Sequence, residues 1–316
     1  MTATAPGKAI LFGEHAVVYG QPAIAVPVTQ VKARAIVSPQ PDRPRGWVGV
    51  QAPDIGLEKT LLDLPEDDPL SRVIGGVLEV TAIPQPPACT IRITSTIPIA
   101  AGLGSGAAIS VAIIRAFSEF LGRPLHDEQV SNLTFEVEKL HHGTPSGIDN
   151  TVITYETPIY FAKTSTDAGN QFVILKVARP FTLVIGDSGV SSPTALTVGD
   201  VRQAWLENSE FFEELFVRTG DLVKHARQAL EKGDIQVLGQ LMDENQALLE
   251  KMGVSSAELD RLIQAARQAG AYGAKLSGGG RGGNMIALVP DSAAGEVAEA
   301  LFTAGATSTL VTIIRS

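Results

Sequence analysis

Apolar positions along the chain change their spacing several times, and each change marks an element. Ala9-Ile10-Leu11-Phe12 and Ala23-Ile24-Ala25-Val26 are short unbroken apolar runs, the pattern of buried strands. Lys32 to Ser38 alternates apolar and polar residues, as a strand with one exposed face does. Ser38 to Asp68 is rich in Pro, Gly and Asp and predicts loops. Ala88 to Ile97 alternates again and is rich in Thr and Ile. From Ala107 the spacing turns helical, with Val111, Ile114, Phe117 and Leu121 in register. Val130, Leu133, Val137 and Leu140 form one stripe of a helix over Glu128 to His141, and a turn-like segment, His142 to Gly147, follows.

Beyond a boundary expected near Pro180, Phe181 to Gly186 reads as a buried strand. Helices are predicted at about 200–218, 221–232 and 235–252. Another starts at a capping box, Ser255 with Glu258, and ends near Gly270. The tail reads strand (Gly273 to Leu276), glycine-rich turn, strand (Asn284 to Val289), helix (Ala293 to Ala304), strand (Thr309 to Ile314). That order is the order of a ferredoxin-like α+β domain with extra helices.

Between the strand and the helix of the first half lies Pro98-Ile99-Ala100-Ala101-Gly102-Leu103-Gly104-Ser105-Gly106-Ala107-Ala108. Small residues there let backbone approach a ligand, and the helix start offers N–H groups and a positive dipole end to an anion. The run reads as a phosphate cradle; tight packing alone is the competing reading. It is not a Walker A loop, lacking Gly-Lys-Ser/Thr, and it lacks the Rossmann spacing. Ile93 to Ile114 carries no charge, but Pro98 and three glycines interrupt it, so a buried strand-loop-helix is expected rather than a membrane span.

Two further stretches carry chemistry. Pro6 to Gly20 sets Lys8, Glu14, His15 and Tyr19 among apolar residues. A lysine in an apolar strand needs a partner or an edge from which it reaches water. Lys275-Leu276-Ser277-Gly278-Gly279-Gly280-Arg281-Gly282-Gly283-Asn284 is a glycine hairpin between two strands, read either as a ligand loop or as a plain connection.

Composition narrows the class. The chain has 316 residues, 44% hydrophobic and 19% charged, which suits a globular enzyme of one large or two medium domains. A net charge of -9 does not favour nucleic acid or anionic membranes, so an anionic substrate needs a local basic pocket. Cys89 is the single cysteine, which rules out an internal disulfide and fits a reducing cytoplasm. Met1 to Ala9 has no basic region followed by an apolar stretch, so no signal peptide is expected. His141 and His142 are adjacent, point to different faces of a helix, and have no zinc signature around them.

Together the three motifs, in this order and over essentially the full length, resemble the GHMP small-molecule kinases (galactokinase, homoserine kinase, mevalonate kinase, phosphomevalonate kinase). Gly13-Glu14-His15-Ala16-Val17-Val18-Tyr19-Gly20 and Glu138-Lys139-Leu140-His141-His142-Gly143-Thr144-Pro145-Ser146-Gly147-Ile148-Asp149-Asn150 are most similar to the mevalonate kinase branch. The resemblance implies an α+β, two-domain fold. An N-terminal ribosomal-protein-S5-like, ATP-binding domain would cover 1–180 and a C-terminal ferredoxin-like domain with extra helices 181–316.

The resemblance also implies roles. Asp149 matches the catalytic aspartate, Lys8 the lysine paired with it, and Thr194 a threonine near that pair. Pro98, Ala101, Gly102, Leu103, Gly104, Ser105, Gly106 and Ala107, with Gly279, match the surroundings of the nucleotide. Glu138 matches a magnesium ligand, and Glu14 and His15 lie at positions close to mevalonate. ATP and Mg2+ are the implied cofactors, mevalonate the implied substrate, and a homodimer in the cytoplasm the implied state.

Two positions depart from the family pattern. Its second motif commonly reads Gly-Leu-Gly-Ser-Ser-Ala-Ala, and here Gly106 stands where the second, metal-ligating serine would be. Either Ser105 substitutes, or water fills the site and Glu138 carries more of the metal. Arg281 stands where a small residue is common, and it either reaches a phosphate or faces solvent. The alternatives are phosphomevalonate kinase, mevalonate 3-kinase, or a binding protein without catalysis on the same fold. Lys8 argues against the related decarboxylases. Asp149 either accepts the hydroxyl proton or only orients the hydroxyl.

Overall fold

The computed structural model describes residues 1–98, 102–142, 146–162, 171–191 and 193–315. The chain divides into two compact units built from interleaved segments. The first takes residues 1–7, 31–98 and 104–156; the second takes 8–30, 102–103 and the described chain from 157 onward. Two strands, β1 (Thr2–Phe12) and β2 (Ala23–Pro39), contribute residues to both units and pair with each other.

In the first unit, β3 (Val48–Ala52), β4 (Leu57–Thr60), α1 (Pro69–Thr81), β5 (Cys89–Ser95), α2 (Ser105–Phe120), α3 (Asp127–His142) and α4 (Ile148–Tyr155) follow the second half of β2. β5 pairs antiparallel with residues 33–39 of β2 and parallel with β3, and β3 pairs antiparallel with β4. β3 and β4 lie in the stretch expected to be loops. The turn-forming residues there sit between strands, and the short run Val48 to Val50 is buried. α1 starts at Pro69 behind Asp68, whose carboxylate accepts the Leu70 N–H at 2.8 Å. α2 packs against α1, α3, α4 and β5. Contact on so many sides explains why it is apolar around most of its circumference, from Ala107 to Phe117.

The second unit begins with the rest of β1 and the first half of β2. There β6 (Ile159–Ala162) pairs with residues 23–25 of β2 and with β7 (Gln171–Ile174). Then come β8 (Phe181–Asp187), α5 (Thr194–Glu207), α6 (Ser209–Lys232), α7 (Ile235–Lys251), α8 (Ala257–Gln268), β9 (Gly273–Ser277), β10 (Asn284–Val289), α9 (Ala294–Thr303) and β11 (Ser308–Ile314). Their sheet runs β11-β8-β10-β9, antiparallel throughout. That is the ferredoxin-like order the sequence predicts, with α5 to α8 inserted between its first two strands. β8 and β10 are its central strands and are buried along almost their whole length.

Two helix boundaries differ from expectation. α6 runs through Gly220, and the break falls at Asn208 instead. A Cβ at Gly220 would lie 2.0 Å from Gln21 Oε1, so this glycine makes room for a neighbour inside a helix rather than ending one. α8 is capped by Ser256, whose hydroxyl accepts the Leu259 N–H at 3.4 Å; Ser255 instead accepts from Gln246 Nε2 at 3.2 Å and donates to Asp260.

A close backbone approach in the second unit joins α7 to β9. A Cβ on Gly239 would stand 2.5 Å from the Tyr272 carbonyl oxygen, and one on Gly273 would stand 2.0 Å from the Gly239 carbonyl oxygen. Helix propensity favours alanine over glycine by about 1 kcal/mol, but backbone cannot give way as a side chain does. Gly239→Ala is therefore expected to destabilise, by about 1–3 kcal/mol. The measurement is the urea midpoint at unchanged slope; an equal or higher midpoint would contradict the close approach.

Candidate active site

Lys8 sits in β1 and is only 5% exposed. Its N–H donates to the Leu103 carbonyl at 2.9 Å, which ties the strand to the end of the glycine run. The expected edge-strand escape to water is not used. Past β1 the chain turns through Gly13, Glu14 and His15 into a short 3-10 turn, Ala16–Tyr19. His15 holds φ 60°, unusual for a residue with a Cβ, and its Nε2 donates to the Gly279 carbonyl at 2.9 Å. With the hydrogen on Nε2, Nδ1 is an acceptor, and it is buried without a hydrogen-bond partner among the described residues.

Glu14 is 1% exposed and Lys275, from β9, is 0% exposed; the two form an ion pair. Lys275 also donates to the Leu276 carbonyl oxygen. Burial pushes the Glu14 carboxyl up and the Lys275 ammonium down, and their mutual attraction opposes both shifts. Glu14 Oε1 takes the ammonium, and Oε2, equally buried, has no hydrogen-bond partner among the described residues. Glu14 and His15 thus present two buried acceptors at consecutive residues.

The third motif closes on these residues from β9. Ser277 Oγ accepts the Ile10 N–H at 3.1 Å and donates to the Ile10 carbonyl at 3.0 Å, stitching β9 to β1. A Cβ at Gly279 would lie 3.0 Å from Thr194 Oγ1 and 3.1 Å from Thr194 Cα, so a larger residue there would press on the first residue of α5. Thr194, Gly279, His15 and Glu14 are therefore brought together. Arg281 takes neither of its expected roles alone. It is half-exposed, pairs with Asp200 of α5, and donates through Nε to the Gly253 carbonyl at 3.2 Å. Its own N–H reaches the Val254 carbonyl at 2.7 Å from φ 57°. It braces the hairpin.

In the first unit, the glycine run feeds α2. Gly104 caps the helix at φ 73°, Ser105 and Gly106 open it, and Ala107 is buried. The opening N–H groups of a helix have no carbonyl one turn back, which suits them to an anion. Pro98 is half-buried after β5, Gly102 is exposed, Leu103 is buried, and Ala101 lies outside the described residues. Glu138, on α3, is 5% exposed, and a Cβ at Gly106 would lie 3.2 Å from its Oε1. Its carboxylate rests against the first turn of α2. Asp149 lies in the first turn of α4, where the helix dipole favours its charge. Next to it, Asn150 Nδ2 donates to Ser131 Oγ at 2.8 Å and anchors that turn to α3. Gly143 to Pro145, like the side chains of His141 and His142, fall outside the description.

Among the described residues no three His, Cys, Asp or Glu side chains gather as a metal site. One buried carboxylate at a phosphate-type helix start is nonetheless the donor set magnesium uses when phosphate oxygens and water complete its shell. Sequence reasoning passed over Lys275 and Asp200. The signal for Lys275 was the one applied to Lys8, a lysine inside an apolar strand; no local signal marks Asp200.

Residues 71–157 match the domain family described as "GHMP kinases N terminal domain", and residues 226–307 match "GHMP kinases C terminal". The chain is 37% identical over 330 aligned positions to the mevalonate kinase of Thermococcus gammatolerans, covering 98% of this chain and 95% of the relative. It superposes on L. major mevalonate kinase in complex with R-mevalonate with a TM-score of 0.83 at 30% identity, over 100% of this chain and 96% of the other. Methanococcus jannaschii mevalonate kinase superposes with a TM-score of 0.84 at 27% identity, over 100% and 98%.

Burial holds the His15 imidazole down to about 4, against an ordinary 6.5, so it is neutral at pH 7. Below pH 6.5 the unfolded chain takes up a proton that the folded chain refuses until about pH 4, so stability falls as pH falls through that window. The loss attributable to His15 is about 3 kcal/mol. His15→Asn is expected to lose less stability than the wild type between pH 6.5 and 4 in paired denaturant titrations; parallel curves would refute the buried neutral imidazole.

Proposed function

The chain belongs to the GHMP kinase family, and we infer from this that it is a mevalonate kinase, passing the γ-phosphate of ATP to the 5-hydroxyl of (R)-mevalonate. The observation that carries the substrate is the pair of buried acceptors, Glu14 Oε2 and His15 Nδ1. A buried acceptor costs stability unless a donor meets it, and hydroxyl groups are such donors. A neutral imidazole and a carboxylate already committed to Lys275 leave this place suited to a polyhydroxylated ligand.

Phosphoryl transfer asks for positioning and charge neutralisation more than for covalent steps. On the family resemblance we assign the phosphates of ATP to the glycine run Pro98 to Ala107, and Gly279 of the hairpin to the nucleotide as well. Glu138 would hold Mg2+, aided by the Ser105 hydroxyl, since Gly106 brings no side chain. The ion, when bound, neutralises phosphate charge. Asp149, in the first turn of α4, is assigned to accept a hydrogen bond from the substrate hydroxyl. Lys8 is proposed as its cationic partner, and Thr194 as the third polar group, held by the Gly279 contact.

We propose that the boundary between the family's two domains falls near Pro180, a position that lies between the two matched regions. No described helix is long and apolar enough to cross a membrane. Cys89 is buried with its thiol pushed up to about 12, an inert thiol that suits a reducing cytoplasm. A homodimer is proposed on family resemblance, and light scattering of the purified protein reads it.

Incubation with Mg-ATP and mevalonate, phosphomevalonate, homoserine or galactose, with phosphorus NMR of the product, tests the assignment. Mevalonate 5-phosphate is expected; a 3-phosphate or another acceptor would overturn the substrate. Asp149→Asn is expected to lower kcat by a factor of about 10²–10⁴. ADP affinity, measured by calorimetry, is expected to hold; unchanged turnover would remove Asp149 from the chemistry. Glu138→Gln is expected to weaken Mn2+ binding to the ADP complex by about 10–100-fold, read by electron paramagnetic resonance. Equal binding would move the metal elsewhere.

A further inference from the structure

The Glu14–Lys275 pair has a second consequence. Lys275 is wholly buried in β9, its ammonium spent on Glu14 and on the Leu276 carbonyl. Leu276 is itself fixed, since its N–H donates to Gln246 Oε1 of α7 at 2.9 Å. Gln246 in turn donates to Glu250 at 3.1 Å and to Ser255 at 3.2 Å. On the other side of the pair, Glu14 lies directly before His15, whose strained backbone and Gly279 contact end the same turn. A rigid chain of partners thus runs from α7 through Lys275 to the two buried acceptors.

Resting on the mevalonate kinase reading, we propose that Lys275 is a positioning residue for the substrate. From the third motif it holds the Glu14 carboxylate, and through it the turn bearing His15, without meeting the substrate itself. One carboxylate oxygen is fixed by the ammonium, so the other is presented in one orientation. A buried carboxylate without this partner would turn toward other donors or take up a proton.

The test is a double-mutant cycle on Glu14 and Lys275 with three readouts: KM for mevalonate, KM for ATP, and the ring resonances of His15 in a histidine-labelled sample. Lys275→Met is expected to raise KM for mevalonate at least tenfold, to leave KM for ATP within twofold, and to shift the His15 resonances. Because Lys275→Met strands a buried carboxylate at a cost to folding, the neutral pair Glu14→Gln with Lys275→Met is the companion variant. In the Glu14→Gln background, adding Lys275→Met is expected to change KM for mevalonate by less than twofold, since Lys275 acts through Glu14. Full multiplication of the two KM effects, or unmoved His15 resonances where Lys275→Met folds, would overturn the proposal. If the wild type prefers a different acceptor, the substrate assignment fails, and the cycle, run on that acceptor, still decides the role of Lys275.

Discussion

An ion pair closed off from water is the constraint on which the site depends. Glu14 and Lys275 have almost no exposed surface, and isolating either charge would cost several kcal/mol. The pair holds only while both chain segments stay in place. Ser277 adds two hydrogen bonds between β9 and β1, and His15 adds a third link to Gly279. The motif at the start of the chain and the motif near its end are therefore one structural object. The glycine hairpin is braced by that fixture, with Gly279 against Thr194 and Arg281 against Asp200.

Much of the fold was legible because its signals are local. The order of the last four strands followed from apolar runs separated by a glycine turn and a helical stripe, and the antiparallel β11-β8-β10-β9 sheet bears it out. The α2 helix followed from the spacing of Val111, Ile114 and Phe117. Errors arose where a residue type has two uses. Gly220 looked like a helix end and is a packing contact, and turn formers between 38 and 68 concealed β3 and β4.

The candidate residues were legible in the sequence, but the contacts among them were not. Lys8, Glu14, His15, Thr194 and Gly279 were marked by motif, yet nothing in the sequence pairs Glu14 with Lys275 or Arg281 with Asp200. Those contacts join residues far apart in sequence, which periodicity cannot see. The chain is acidic overall, with a net charge of -9, so a phosphate ligand must be met by local N–H groups and buried cations rather than by the global field.

Glu14 and Lys275 are separated by 261 positions in the chain. At about 5–20 residues per second, synthesis takes on the order of tens of seconds to cross that gap. Throughout that interval the carboxylate of the nascent chain stays hydrated, and the turn bearing His15 has no Gly279 to hold it. The ion pair and the His15–Gly279 contact therefore form late, only once β9 has left the ribosome. A chain truncated before β9 carries Glu14 and His15 without Lys275 or Gly279, and so lacks the partners that fix this turn in the full-length fold.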